Sequence, residues 1–187
     1  MKTELEAIRR YLIKHSSNDA KAAFQKFIPT SQRVYGVRVP LLNELAKTHK
    51  VGGFPLVEAL WNSGAFEERL LAAKILSRVA KKEPERALRL IRSFSRDISD
   101  WAVCDTLGMQ AVRPLAEKFQ KEVFALATAL LASKNAWERR FGIVLLTNYA
   151  KNAALRPKIK NLVQPLADDR EHYVRKAIEW LRRDLSK

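Results

Sequence analysis

The chain has 187 residues, of which 47% are hydrophobic and 29% charged, with 35 Lys and Arg against 20 Asp and Glu. This length fits one domain or one repeat array with a substantial core, and the hydrophobic content excludes a disordered chain. The formal net charge of +15 favours a polyanionic partner, most often nucleic acid, over an inert basic surface or an acidic membrane surface.

The sequence lacks the signals of a membrane protein or of a disulfide scaffold. No apolar run approaches the roughly 20 residues that span a bilayer, and the charged N-terminal segment lacks the apolar core of a signal peptide. The single cysteine, Cys104, excludes an internal disulfide and a cysteine-based zinc cluster. The missing signal-peptide core and the single cysteine lead us to expect a cytoplasmic protein. Three scattered histidines offer no metal-ligand spacing, so no metal site is expected.

Apolar residues recur at intervals of three and four along almost the whole chain, and the alternation typical of strands is absent. The pattern predicts an all-α protein with short connections and antiparallel neighbouring helices. Pro40, Pro55 and Pro84 lie at predicted helix starts, where a missing N–H is tolerated. The predicted helices cover residues 3–15, 18–27, 40–49, 54–62, 66–81, 83–94, 99–109, 114–119, 121–132, 136–151, 155–166 and 170–185.

An internal repeat underlies this pattern. The segments FEERLLAAKIL, WERRFGIVLL and YVRKAIEWLR each begin with an aromatic residue and continue as apolar helices. With WAVCDTLGM as a further unit, the leading aromatics Phe66, Trp101, Trp137 and Tyr173 are 35, 36 and 36 residues apart. This period predicts a single HEAT-like α-solenoid over residues 1–187, whose second helices line a concave basic face about 40–50 Å long.

The repeat places one basic residue three positions after the aromatic in three units: Arg69, Arg140 and Lys176. In a stacked array these side chains would form a row suited to phosphates. In the Trp101 unit the matching residue is Cys104, followed by Asp105, so an acid interrupts the row. Each basic residue has the alternative role of a salt-bridge partner, and Phe66, Trp61 and Trp137 are expected to pack in the core.

Asp105 lies one helical turn after Trp101, so its carboxylate and the indole share a helix face. A carboxylate facing a polyanion is repelled, and catalysis is one role that would compensate for that cost. The alternative is structural, with Asp105 capping a helix or pairing with an arginine. A carboxylate turned inward, or held by a guanidinium away from the groove, would leave only a nucleic-acid-binding shell.

Several segments resemble the AlkD-type DNA alkylation-repair glycosylases, a family of HEAT-like repeat proteins. The similar segments are VYGVRVPLLNELAK, LWNSGAFEERLLAAKIL, SDWAVCD, AWERRFGIVLL and HYVRKAIEWLRRDL, and together they cover essentially the whole chain. The resemblance implies that Asp105 is the catalytic carboxylate, with Trp101, Arg140 and Trp180 beside it in the active site. We also expect DNA contacts from neighbouring residues, namely Arg69, Arg139, Lys176, Arg175, Tyr173 and Phe27.

The resemblance implies a monofunctional glycosylase that hydrolyses the N-glycosidic bond of cationic N3- or N7-alkylated purines in double-stranded DNA. Recognition would use the DNA backbone and the charge of the lesion, without a base-flipping pocket. No cofactor is expected, the protein is expected to be a monomer, and a prokaryotic one would associate with the nucleoid. Lys176 could attack the sugar and cleave the strand, but an exposed lysine is mostly protonated. Two rivals remain: a non-catalytic nucleic-acid-binding HEAT-repeat protein and a scaffold for an acidic protein.

Overall fold

The computed structural model describes residues 2–187, and within them the secondary structure is helical, without strands. This confirms the predicted all-α class. The α-helices are α1 (Lys2–Lys14), α2 (Asn18–Phe27), α3 (Val39–Thr48), α4 (Gly53–Asn62), α5 (Phe66–Val79), α6 (Pro84–Phe94), α7 (Trp101–Asp105), α8 (Gln120–Leu131), α9 (Ala136–Thr147), α10 (Arg156–Val163) and α11 (His172–Leu185). None of the helices formed by these residues is long and apolar enough to cross a membrane.

Local sequence signals explain where several helices begin. The side chains of Ser17, Asp100 and Asn135 accept hydrogen bonds from the first-turn N–H groups of α2, α7 and α9. Proline lies in the first two positions of α3, α6 and α10, where its missing N–H breaks no helical hydrogen bond. The Asp100 cap is completely buried, so the start of α7, the helix that carries Trp101 and Asp105, is fixed inside the protein.

The helices pack as two layers of an α-solenoid. In the first, α5, α7, α9 and α11 each contact the next, and in the second, α4 packs on α5 and α8 packs on α9. The core between them contains fully buried aromatic side chains, including Trp61, Phe66 and Phe141. The expected packing roles of Trp61 and Phe66 are therefore confirmed, whereas Trp137 is only half-buried.

Two predicted helices differ from the structure around the centre of the chain. The segment 99–109 forms only five α-helical residues and continues as a π-helical turn, Thr106–Ala111. The helix predicted at 114–119 is wrong, because residues 112–119 form consecutive turns. The N–H groups of Leu115 and Ala116 bond to the carbonyls of Val112 and Arg113, three residues earlier, which is a turn pattern.

The structure also corrects the register of the repeat. The residues that precede the first turn of α5, α7, α9 and α11 are Ala65, Asp100, Asn135 and Glu171, at intervals of 35, 35 and 36. The leading aromatic is the first helical residue in α5 and α7 but the second in α9 and α11. Aligning the units by their aromatics therefore shifted half of the repeat by one residue, because helix starts follow the caps rather than the aromatics.

The correct register changes which residues stand side by side in the stack. Counted from the helix start, Arg69, Arg139 and Arg175 are equivalent to one another. The next position along each helix holds Leu70, Asp105, Arg140 and Lys176. The predicted row of Arg69, Arg140 and Lys176 is therefore wrong in its first member, and Asp105 itself, not Cys104, occupies the position that Arg140 has in its own helix.

Candidate functional site

Asp105 and Arg140 form a two-pronged ion pair between α7 and α9. Arg140 Nη2 lies 2.8 Å from both carboxylate oxygens of Asp105, and its Nε donates to Oδ1 at 3.2 Å. The remaining nitrogen, Nη1, donates to the carbonyl oxygen of Tyr173 at 2.7 Å. This fork geometry fixes the carboxylate in position and orientation.

The pair meets because its two members hold equivalent positions on neighbouring helices that pack closely. A Cβ at Gly108 would lie 2.6 Å from Val144 Cγ1, so only glycine lets the π-helical turn approach α9 this closely. Asn148 donates its side-chain amide to the carbonyl of Gly108 at 3.0 Å, which ties the end of α9 to the same turn. π-Helical turns are rare and often occur at functional sites.

Arg140 is closed to solvent, whereas Asp105 is open to a cleft. The Arg140 side chain is 6% exposed and that of Asp105 is 23% exposed. The Asp105 cleft, about 620 Å³, is lined by Ser77, Asp105, Thr106, Met109, Gln110, Arg113 and Pro114. It shares Met109 and Arg113 with a second cleft of about 990 Å³. The alternative that Asp105 pairs with an arginine is thus confirmed, but the pair lies at the cleft wall and not away from it.

Burial raises the pKa of Asp105 above its ordinary value, and the neighbouring charge and hydrogen bonds of Arg140 oppose that shift. The nearby Asp100 carboxylate also raises the pKa of Asp105. Beside it, burial raises the pKa of the Cys104 thiol, so this cysteine remains a protonated, inert filler as expected from its position. Asp100 and Cys104 are fully buried, whereas the Asp105 side chain is 23% exposed. Of these three groups, Asp105 is therefore the one that solvent can reach.

Trp101 and Phe27 lie next to each other at the beginning of α7. Trp101 is half-buried, and its indole Nε1 donates to the carbonyl oxygen of Phe27 at 3.1 Å. The Phe27 side chain, at the end of α2, belongs to a residue that is 67% exposed. The indole N–H of Trp101 is thus used to attach α2 to α7, which leaves the ring, rather than the nitrogen, for contact with a ligand.

The other predicted site residues on α11 lie in the same region of the stack. Lys176 is exposed and occupies the position equivalent to Asp105 and Arg140. Trp180 follows one helical turn later and is half-buried against the core. The Tyr173 ring stacks on Trp137, with centroids 5.1 Å apart and both residues half-buried.

The equivalent arginines Arg69, Arg139 and Arg175 all donate hydrogen bonds to backbone carbonyls outside their own helices. Arg139 Nη1 donates to the carbonyls of Ser133 and Lys134, and Arg175 Nη1 donates to those of Asp169 and Arg170. Arg69 donates to Trp61 and Asp97 carbonyls and lies over the Trp61 ring. Arg139 and Arg175 thus fasten the loop before their own helix, whereas Arg69 joins α4 to the segment before α7.

Arg139 has a further internal partner. Its Nε donates to Asp169 Oδ2 at 2.7 Å and its Nη2 to Oδ1 at 3.2 Å, with the two side chains 15% and 6% exposed. The guanidinium therefore joins α9 to the loop before α11. Two of the predicted basic residues lie on α11. Arg175 bonds to backbone carbonyls, whereas the ammonium group of Lys176 has no internal partner within the described residues.

Sequence reasoning missed several buried polar residues that support the site. Asp100 accepts hydrogen bonds from Val103 N–H and from Gln32 Nε2, which fastens the loop after α2 to the start of α7. Glu67 accepts the backbone N–H groups of Tyr35, Gly36 and Val37. A polar residue inside an apolar helical run was an available signal for one further buried residue, Lys74 in LLAAKIL, which is 3% exposed.

The fold and this pair define the class of protein: a basic α-solenoid whose stacked helices present a fixed carboxylate at a cleft. A family model described as "DNA alkylation repair enzyme" matches residues 8–187, and the chain belongs to this family. A search of curated proteins found no match. The predicted family is confirmed, and DNA repair is the corresponding role. Within residues 2–187, no three His, Cys, Asp or Glu side chains are grouped to hold a metal ion.

Proposed function

We propose that this member of the family is a monofunctional DNA glycosylase. It hydrolyses the N-glycosidic bond of cationic N3- or N7-alkylated purines in duplex DNA and leaves an abasic site. The observation that carries the proposal is the Asp105 carboxylate, which Arg140 holds rigidly at the wall of an open cleft in a chain of net charge +15. The family and the basic composition support DNA as the substrate.

The chemistry requires little besides a placed negative charge. Alkylation at N3 or N7 makes the purine cationic, so it leaves as a neutral base when the bond to C1′ breaks. Positive charge then develops on the deoxyribose, and the Asp105 carboxylate stabilises it through space. Water adds to C1′ and loses a proton, for which Asp105 is also placed as an orienting acceptor. No cofactor is needed, because the leaving group is activated before the enzyme binds it.

The roles of the other residues follow from their contacts. Arg140 does not bind a phosphate, as sequence reasoning assigned, because it is buried and each of its three side-chain nitrogens donates to Asp105 or Tyr173. It positions the carboxylate. Trp101 and Trp180 supply ring faces for packing against the sugar and for attraction of its positive charge. Lys176, exposed beside this position, provides a phosphate contact, as do Tyr173 and Phe27 at their exposed edges.

The test is base release from duplex DNA that contains 7-methylguanine. The wild-type protein is expected to release the free base, and Asp105→Asn to abolish release while duplex binding is retained or strengthened, since one negative charge is lost. Asp168→Asn, which removes an equal charge from an exposed loop, is the matched control and should behave as wild type. Release by Asp105→Asn at the wild-type rate would exclude the catalytic role of this carboxylate.

Salt dependence separates DNA binding from the scaffold alternative. If about five phosphates are contacted, log K should fall with log[salt] with a slope of about −4 to −5. A flat response would indicate a protein partner instead. Binding with the expected slope, without base release, would identify the non-catalytic nucleic-acid-binding rival, in which the Asp105–Arg140 pair only joins two helices.

A further inference from the structure

Lys74 is a buried cation that the glycosylase mechanism does not use. It lies within the apolar face of α5, is 3% exposed, and its Nζ donates to Gln110 Oε1 at 3.3 Å. Burial lowers the pKa of Lys74, and the charge of Arg78 lowers it further. A leucine or methionine at this place would pack without the desolvation cost of an ammonium group, so the lysine needs a compensating role.

Lys74 determines which end of the Gln110 amide faces the cleft. A glutamine amide can present either its oxygen or its NH₂ group, but an ammonium group only donates hydrogen bonds. The oxygen of Gln110 must therefore face Lys74, and the NH₂ group faces the other way. Gln110 is an exposed residue of the Asp105 cleft, five positions after Asp105 along the π-helical turn. The cleft lined by the Asp105 carboxylate thus also contains an oriented neutral donor.

The chemistry of this donor selects its ligand. The positive charge of an alkylated purine weakens its remaining hydrogen-bond acceptors, whereas the DNA backbone offers anionic phosphate oxygens, which are stronger acceptors for an N–H group. Arg113, on the same cleft wall, is exposed and adds positive charge for such an oxygen. A second arginine in place of Gln110 would compete for the Asp105 carboxylate. A neutral amide binds a phosphate without neutralising the acid.

We propose that Gln110, oriented by Lys74, binds a phosphate oxygen adjacent to the target nucleotide and so positions its deoxyribose at Asp105. Gln110 is a substrate-binding residue, and Lys74 is a positioning residue that acts through it. The inference rests on the proposed function for the identity of the target nucleotide, but its phosphate contact is measurable without catalysis.

The experiment measures binding, by fluorescence anisotropy, of a duplex that contains a tetrahydrofuran abasic site, which cannot undergo base release. Gln110→Ala is expected to weaken binding about tenfold, as expected for loss of a hydrogen bond to a charged group. Gln164→Ala, which removes an exposed glutamine outside this cleft, should bind as wild type. Duplexes with a neutral methylphosphonate on either side of the abasic site then locate the phosphate.

On the duplex whose methylphosphonate replaces the phosphate that Gln110 contacts, wild type and Gln110→Ala are expected to bind equally. An unchanged tenfold difference on both methylphosphonate duplexes would overturn the phosphate assignment. So would wild-type binding by Gln110→Ala on the unmodified duplex. If wild type releases no alkylated base while the Gln110 dependence holds, the glycosylase function is excluded and the phosphate contact is supported.

Lys74→Met tests the positioning role. Methionine fills a similar volume without charge, so the melting temperature should be unchanged or higher, while affinity for the abasic duplex falls about threefold because the Gln110 amide becomes free to turn. In a Lys74→Met/Gln110→Ala double variant the Lys74 change should have no further effect on affinity. A lysine that only supports the fold would lower the melting temperature and leave the affinity unchanged, and this result would overturn its assigned role.

Discussion

Arg140→Met is the substitution that tests most directly how the candidate site is built. It removes three hydrogen bonds to Asp105 and one to the Tyr173 carbonyl, and methionine retains much of the apolar packing of the arginine stem. The Asp105 carboxylate then remains largely buried without its cation. The loss is greater than the value of the bonds, because an unpaired charge is left in a region of low polarity.

The exposures of the two side chains set the magnitude. Removing one partner of a fully buried ion pair costs about 3–5 kcal/mol. The Asp105 side chain is 23% exposed, so solvent offsets part of the cost of leaving its charge unpaired. We therefore expect the free energy of unfolding to decrease by about 3 kcal/mol, near the lower limit of that range. For a chain of this size, that corresponds to a decrease in Tm of about 6–12 °C.

The stability deficit should depend on pH, with a sign set by the pKa of Asp105. Burial already raises this pKa above 3.8, and Arg140 opposes the shift, so the variant should have a higher Asp105 pKa than wild type. A folded-state pKa above the unfolded value means that the folded protein gains stability as pH falls through it. The deficit of Arg140→Met should therefore be largest at neutral pH and shrink as pH approaches the ordinary range of a carboxylate.

Urea unfolding at pH 7 and pH 5 measures this effect, with Arg182→Met, an exposed arginine of α11, as the control for loss of positive charge. In an Asp105→Asn background the Arg140→Met deficit should fall by more than half, since no charge remains unpaired. As the pH is lowered, base release by Arg140→Met should begin to decline at a higher pH than base release by wild type. A deficit below about 1 kcal/mol, or one equal in both backgrounds, would show that the pair does not hold the carboxylate.

Three further predictions concern the basic residues of the repeat and the packing of the π-helical turn. Arg139→Ala should lower the free energy of unfolding by about 2–3 kcal/mol, because Asp169 loses its partner, without changing the salt slope of DNA binding. Lys176→Ala should leave stability unchanged and reduce that slope by about 0.9. If Arg139→Ala instead reduced the slope and Lys176→Ala did not, the repeated arginines would be the phosphate contacts. Gly108→Ala should cost about 1–3 kcal/mol, because its Cβ would overlap Val144, and should reduce base release by separating the π-helical turn from α9. Wild-type melting and release by this variant would contradict the close-packing argument.

Much of the architecture follows from local signals in the sequence. The helix over Asn18–Phe27 was predicted to the residue, because Ser17 is a strong cap and Ile28-Pro29 ends the helix. The segment 114–119 was mistaken for a helix because its apolar spacing resembles one, although the N–H groups of Leu115 and Ala116 form turn hydrogen bonds there. Apolar periodicity reports burial, and turns can bury side chains as helices do.

The candidate site was only half accessible from the sequence. Asp105 and Arg140 were both named, but Arg140 was assigned to phosphate because its exposure and partners cannot be read from its position in the chain. The one-residue shift between aromatics and caps concealed that the two residues occupy equivalent positions. Lys74 and Gln110 stand 36 residues apart, and nothing local to either one indicates the other.

The sequence by itself determined the helical class, a repeat of about 35 residues, the excess of positive charge and the presence of an acid in a basic unit. The charge is a sum over residues, and the helical class and the repeat follow from the spacing of apolar residues along the chain, so none of these requires knowledge of contacts between helices. Only the tertiary structure decided that Arg140 pairs with Asp105, that the repeated arginines hold loops, and that the pair faces a cleft. The physical reason is that ion pairs and clefts depend on side chains from separate helices, whose approach is set by packing at residues such as Gly108 and not by the sequence around each charge.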